Sequence, residues 1–458
     1  WPGWLFYAST QLNPRNPLWR EIPALMKYIE RSQSVLQKAT PENDLLVYWP
    51  YYDVAASDGP VFIHLGVNKD AGWFKNHPIS GLSESVMNAG FTFDYISDKQ
   101  LLDCEITDGQ ILTSGKSSYK AIVIPKTKFI TVETLEKLAI FLAEGGKVYF
   151  DEILPESVPG IYNLEERTTS LTEIKFGIAS ENVTGNVLEL LAENEIEGEK
   201  SMTQNGLNFI KMKMNDELYY MVFNCTRENI DTTIELNKSA KNYVFMNPVN
   251  GEITIAENQG NSVRIQLDKE RALFIRCTNE NVDFQEHIYD ENLPVEIEGL
   301  WKIGFVEGGP VYPGDISTEN LKSWTEMGDQ ETSRFAGTAK YTTEFNWEEL
   351  SKTAFINLGE VKDCAHVYLN GKDCGSLLGP VYKVKVDNLK QGKNKLVVEV
   401  TNVAANRIRD LDRRGVNWKK FHDINFVNID YEPFDASNWE VREAGLLGPV
   451  TMSTVELK

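Results

Sequence analysis

The spacing of apolar positions changes along the chain, and each change marks a segment. In the first forty residues Leu18, Ile22, Leu25, Met26, Ile29 and Leu36 recur at helical spacing, opposite Arg20, Lys27, Glu30, Arg31 and Lys38. Asn16-Pro17 supplies an N-cap with proline at the first helical position, and Thr40-Pro41 stops the pattern. From residue 44 to 160, short apolar runs alternate with amphipathic stretches. Residues 45–49, 91–97, 119–125 and 147–152 read as strands, while 80–90 and 131–146 read as helices closed by glycine. Buried β-branched runs alternating with helices predict a parallel sheet, flavodoxin-like in style. Residues 186–200 read as an acidic helix on which Glu189, Glu193, Glu195, Glu197 and Glu199 form a solvated face.

Beyond residue 205 the period falls to two. Seven short alternating runs lie between 207 and 277, separated by turn pairs such as Asn215-Asp216 and Asn250-Gly251. They predict a small antiparallel β-sandwich. A larger β region follows from about residue 285. Its Asn370-Gly371, between alternating runs, is the strongest hairpin signal in the chain. Around it Leu396, Val398 and Val400 point one way, and Val397, Glu399 and Thr401 the other. This is the grammar of a jelly-roll. The fold class expected is therefore multidomain, α/β plus all-β, and no internal repeat or low-complexity linker interrupts it.

Composition narrows the function. The 458 residues carry 46 Lys+Arg against 67 Asp+Glu, a net charge of −21, which argues against nucleic acid or an anionic membrane as partner. No apolar run approaches the ~18–20 residues of a membrane span, and no stretch resembles a signal peptide. The chain opens on Trp1 without an initiator methionine, which reads as the interior of a longer chain. Cys104, Cys225, Cys277, Cys364 and Cys374 are odd in number and lack CxxC spacing, which excludes a dense disulfide framework or a cysteine zinc site. Cys364 and Cys374 flank a hairpin and could pair, but free thiols are expected there. His64, His77, His287, His366 and His422 are scattered without HExxH spacing and are expected to be structural. No strand is followed by GxGxxG or GxxxxGK[ST].

Three constellations could carry chemistry. The opening loop combines Trp1, Trp4, Phe6, Tyr7 and Trp19 with Gln11, Asn13 and Arg15. Aromatic rings with amide and guanidinium donors suit a sugar; the same rings suit a plug between domains. The run 406–426 carries Arg407, Arg409, Arg413, Arg414, Lys419 and Lys420 against Asp410 and Asp412, and is expected to be an irregular loop docking on an acidic neighbour. Asp410, Asp412, Asp423, Asp430, Glu432 and Asp435 could offer oxygens to calcium, but without a DxDxDG pattern solvated or arginine-paired carboxylates are expected.

On these residues the chain resembles a known family. WPGWLFYASTQLNPRNPLWREIPALMKYIERSQSVLQ, then LLVYWPYYD, then LGEVKDCAHVYLNGKDCGSLLGPVYKVKV, VTNVAANRIRDLDRRGVNWKKF and AGLLGPV are together similar to the C-terminal portion of glycoside hydrolase family 106, the α-L-rhamnosidases. The resemblance implies four parts: the last loop and helix of a catalytic (β/α) barrel at 1–42, a flavodoxin-like α/β domain at 43–200, the small β-sandwich at 201–282, and a galactose-binding-like, carbohydrate-binding-like jelly-roll at 283–458. It implies removal of terminal α-L-rhamnose from plant polysaccharides by an inverting two-carboxylate mechanism. The acid and base are expected upstream, so no catalytic residue is assigned here and the chain alone is expected to be inactive. Trp4, Asn13 and Trp19 are the implied substrate contacts. Calcium as a cofactor, an upstream barrel as partner, a rhamnose-containing oligosaccharide or polysaccharide as substrate, and a periplasmic or secreted bacterial location rest on the resemblance alone. The alternatives are a non-catalytic carbohydrate-binding or scaffold protein, and a β-galactosidase-like hydrolase.

Overall fold

The computed structural model describes residues 12–56, 72–179, 181–288, 290–348, 353–419, 427 and 430–455. The chain divides into two compact units, one made of residues 1–32 with 288–458 and the other of 33–287.

Within 33–287, five strands form a wholly parallel sheet in the order Phe93–Ile96, Leu45–Tyr48, Ala121–Ile124, Val148–Asp151, Thr184–Gly185. The two central strands are buried at every position because both faces are covered. Side-chain alternation sorts them by parity. Leu46, Tyr48, Ile122 and Ile124 enter one apolar cluster with Leu135 and Leu138 of helix Val132–Ala143. Leu45, Val47, Ala121 and Val123 enter another with Ile79 and Val86 of helix Pro78–Asn88. All four expected strands and both expected helices are present.

The acidic stretch departs from expectation. Its helix ends at Glu193, and Glu195 takes a left-handed φ of 59°. Glu189, Glu193, Glu195 and Glu197 are exposed, but Glu199 is buried and hydrogen-bonded rather than solvated. Helix Leu164–Ile178 carries no apolar stripe in the sequence and buries only Leu171 and Ile178.

Helix Asp98–Leu102 begins with a capping box. Ser97 Oγ accepts from Gln100 N at 3.5 Å, and Ser97 N donates to Gln100 Oε1 at 3.1 Å. Ser97→Ala is expected to lower stability by about 1 kcal/mol in urea unfolding, with Ser97→Asp losing less. Equal losses for the two would mean that the cap contributes nothing.

All seven alternating runs of 207–277 form strands, in two antiparallel sheets. The larger is ordered Thr40–Pro41, Leu207–Met214, Glu217–Asn224, Ala272–Thr278, Asn242–Met246, Ile253–Ile255, with Gln285–Glu286 joining in parallel at its edge. The smaller holds Ile230–Glu235, Ser262–Leu267 and Asn258–Gln259. Asn215 and Asp216 both have positive φ, the backbone a two-residue hairpin between Met214 and Glu217 requires.

In the other unit, a six-stranded antiparallel sheet runs Ile316–Thr318, Trp301–Gly309, Ala336–Trp347, Gly392–Thr401, Cys364–Leu369, Lys372–Leu377. A four-stranded sheet holds Val295–Glu296, Thr451–Thr454, Ala354–Asn357 and Lys383–Val386. Both contribute to one core: Trp301, Tyr341, Val367 and Val398 from the first, Ile356, Val386 and Met452 from the second. Leu396, Val398 and Val400 are fully buried, as their alternation requires. Asn370-Gly371 makes the expected hairpin, with φ of 51° and 82° between paired Leu369 and Lys372. Among the described residues no helix is long and apolar enough to cross a membrane.

Candidate functional site

The opening segment is built locally and then pinned at its end. Asn13 Oδ1 accepts from Arg15 N at 3.0 Å, and Asn13 O accepts from Asn16 N at 2.9 Å, closing a turn. Asn16 Oδ1 accepts from Leu18 N at 3.0 Å and, with Pro17 behind it, starts the short 3₁₀ helix Pro17–Arg20. The α-helix begins only at Ile22. Its apolar face is half-buried rather than fully covered, with Met26 40% exposed.

Two charged residues fasten the segment to the six-stranded sheet. Arg20 Nη2 donates to Glu399 Oε2 at 2.6 Å. Glu21 is 2% exposed; its Oε2 accepts from the Ser376 hydroxyl and faces His366 Nδ1 at 3.4 Å. His366 Nε2 meets Asp373 Oδ1 at 2.8 Å, and the imidazole stacks on Tyr368 with centroids 4.7 Å apart. The hydrogen bond to Glu21, with Asp373 beyond, raises the His366 pKa against the pull of burial. Burial would raise Glu21, but hydrogen bonds from His366 and Ser376 outweigh it and hold the carboxyl below its ordinary value. The imidazole thus bridges two carboxylates.

Of the implied sugar contacts, Asn13 is half-buried with its Oδ1 spent on the turn, and Trp19 is 41% exposed on the 3₁₀ helix. Both lie on the pinned segment. Trp4 lies outside the described residues.

The basic run corrects an expectation. Residues Ala405–Arg413 form an α-helix, not an irregular loop. Its approach is fixed by Asn402, whose Oδ1 accepts from Gly337 N at 2.9 Å while its Nδ2 donates to Phe335 O at 3.1 Å. The charges turn inward. Asp410 Oδ2 accepts from Arg407 at 2.7 Å and Arg414 at 2.8 Å, and its Oδ1 lies 3.6 Å from Arg334. Burial, with repulsion from Arg414 and Arg334, lowers the Arg407 pKa despite Asp410. Asp412 accepts from Trp418 Nε1 at 2.6 Å and Ala436 N at 2.8 Å. Arg407, Arg414 and Lys419 therefore pair with the run's own acids, while Arg409 donates to Trp439 O. Lys420 and Asp423 lie outside the described residues.

Calcium takes six to eight oxygens, whereas Asp410 and Asp412 are committed to arginine, indole and amide donors. Among the described residues no group of three or more His, Cys, Asp and Glu side chains is placed to hold a metal. All five cysteines are free thiols.

Sequence reasoning missed the Glu21–His366–Asp373–Ser376 cluster, whose members are scattered along the chain. It also missed three buried charges in 33–287: Asp44, Glu199 and Lys211. One signal was available. In the strand Leu207–Met214, Lys211 shares parity with Leu207 and Phe209.

Comparison with known proteins follows from this geometry. The model of glycoside hydrolase family 106, described as alpha-L-rhamnosidase, matches residues 1–259. That range includes the opening segment but not 402–421, where the sequence resemblance was also placed. A rhamnosidase from Novosphingobium sp. PP1Y has the same fold over 97% of this chain, with a TM-score of 0.73 at 18% identity. A putative beta-glucuronidase of Formosa agariphila is 31% identical over 192 residues, 35% of this chain. The chain spans 42% of the Novosphingobium protein and 16% of the Formosa one.

Proposed function

The chain belongs to glycoside hydrolase family 106, the α-L-rhamnosidases, and from that premise we propose that it is part of an enzyme removing terminal α-L-rhamnose from plant polysaccharides. The family match over 1–259 carries this reading. The chemistry proposed is inverting: a carboxylic acid protonates the leaving oxygen while a carboxylate some 6.5–9.5 Å away activates water on the opposite face of the ring. Neither role is assigned to a residue of this chain. The likeness to the Novosphingobium rhamnosidase leaves 58% of that protein's length, 100% less the 42% covered, in which the acid and base could lie. In this reading residues 1–42 end a barrel, 43–200 and 201–282 are flavodoxin-like and sandwich supports, and 283–458 is a carbohydrate-binding-like jelly-roll. A polymeric substrate places the enzyme in the periplasm or outside the cell. No step is routed through calcium.

The test is release of aglycone from an aryl α-L-rhamnoside by this chain and by the chain with its upstream coding region restored. Activity in the longer form alone is the expected result. Turnover by the 458 residues would place the acid and base among them. An aryl β-D-glucuronide belongs in the same assay, because the Formosa relative favours a uronide as second reading; turnover of that substrate alone would replace the first.

Trp4, Asn13 and Trp19 are proposed to line the sugar site. Trp19→Ala in the active form is expected to raise KM about three- to tenfold, the value of one lost stacking contact of ~0.5–1.5 kcal/mol, with thermal stability unchanged. An unchanged KM would leave Trp19 outside the site.

A further inference from the structure

Unit 33–287 contains a cleft of about 290 Å³ whose floor is charged and buried. Lys211, 7% exposed, donates to Asp44 Oδ1 at 2.7 Å, and Lys120 donates to the same oxygen at 2.7 Å. Asp44 Oδ2 accepts from Thr92 N at 3.2 Å and Thr92 Oγ1 at 3.1 Å, so this carboxylate is saturated. Glu199, 2% exposed, accepts from the Tyr220 hydroxyl at 2.6 Å on one oxygen and from Asn237 N at 2.9 Å on the other. A carboxylate has about four acceptor sites and an ammonium three donors. Glu199 therefore keeps acceptor capacity and Lys211 keeps donors. Among the described residues these two line the same cleft without pairing to each other.

A buried donor and a buried acceptor that line one cleft, each bonded to a different partner, match a group that both accepts and donates. A sugar's vicinal hydroxyls do so: one accepts from Lys211 and its neighbour donates to Glu199. Charge sets the class. Four lysines and four carboxylates line the cleft, so its sum is zero and it offers no net attraction to an anion. The volume lies at the small end of ligand pockets, ~300–1,000 Å³, and suits one ring. We propose that this cleft binds a single neutral pyranose unit of a glycan, with Lys211 and Glu199 reading adjacent hydroxyls and Gln110 and Lys238 at the rim. The proposal is independent of the rhamnosidase reading.

The test is a heteronuclear NMR titration of the 458-residue chain with methyl α-L-rhamnopyranoside, methyl β-D-galactopyranoside and D-glucuronate. The expected result is saturable shifts at Lys120, Lys211 and Asn237 for at least one neutral sugar, with Kd about 1–10 mM. Gln110→Ala combined with Lys238→Ala, two surface changes that leave the fold intact, is expected to weaken binding about three- to tenfold, the worth of a net hydrogen bond. Glu199→Gln, where it folds, is expected to weaken it further. No saturable shift at about 100 mM, or affinity indifferent to the rim pair, would reduce the cleft to an architectural ion pair. Tighter binding of glucuronate than of either neutral sugar would overturn the neutral assignment.

Discussion

Asp44→Ala is expected to destabilise unit 33–287 by about 3–5 kcal/mol, the cost of removing one partner from a buried ion pair. The carboxylate is 1% exposed and accepts from Lys120, Lys211 and both donors of Thr92. Its loss leaves the Lys211 ammonium buried without its counter-ion, and leaves the Thr92 amide without its acceptor at the edge of the parallel sheet. Burial would raise the Asp44 pKa, but the two lysines outweigh it, so the folded value lies below the ordinary 3.8. The stability this supplies is present above that ordinary value and is lost as pH falls through the folded one. Urea unfolding from pH 7 down to pH 2 should therefore show an acid-dependent loss that is smaller in Asp44→Ala than in the wild type, Asp53, Glu217 and Asp231 keeping their share. The paired replacement Asp44→Leu with Lys211→Met should recover part of the deficit, because an apolar pair of similar volume avoids both desolvation costs while both Thr92 donors stay without their acceptor. A single variant within 1 kcal/mol of the wild type would show that water reaches the pair and screens it.

What could be read from the sequence follows the range of the interactions involved. The parallel strands and the antiparallel hairpins are written in neighbouring residues. Leu45 and Val47 face one side while Leu46 and Tyr48 face the other, and Asn370-Gly371 can take the positive φ its hairpin needs. Helix Leu164–Ile178 was missed because its pattern is not apolar. Thr168, Thr169, Ser170 and Thr172 bond back to the carbonyls four residues earlier, and tertiary packing of Leu171 and Ile178 holds it. The acidic stretch failed for the opposite reason: a good helical composition broken at Glu195.

The pinning cluster was beyond reach. Glu21 meets His366 and Ser376 across 345 and 355 residues, and nothing near Glu21 in the sequence distinguishes it from the other acids. The opening segment was legible as a sugar-compatible set of residue types. Its fastening to the sheet was not.

That fastening gives the second large effect. Glu21→Ala is expected to loosen residues 17–31 by about 1.5–3 kcal/mol, the worth of a hydrogen bond to a charged group, because it strips His366 and Ser376 of their shared acceptor. The same contact makes the segment's local stability depend on pH. The groups facing the imidazole are Glu21 from the opening segment, Asp373 and Ser376 from the hairpin, and Tyr368 from its own strand. Arg20 and Glu399 lie alongside, and Lys27 acts on Asp373. His366 has its pKa raised above 6.5, so its contribution is full below that value and is lost as pH rises through the folded pKa. Glu21 has its pKa lowered beneath 4.5, so its contribution is full above that value and is lost as pH falls through the folded pKa. Between pH 4.5 and 6.5 both are present in full. Hydrogen exchange of peptides spanning 17–31, corrected for the intrinsic rate, should show protection that is greatest in that window and declines toward alkaline pH. His366→Gln keeps a hydrogen-bonding group of similar reach without the charge, and should abolish the alkaline decline while leaving the rest of the chain's exchange unchanged. Protection that stays flat from pH 5 to 9 in the wild type would mean that Arg20 and packing hold the segment without the imidazolium, and the Asn13–Trp19 surface would then be positioned alike at every pH.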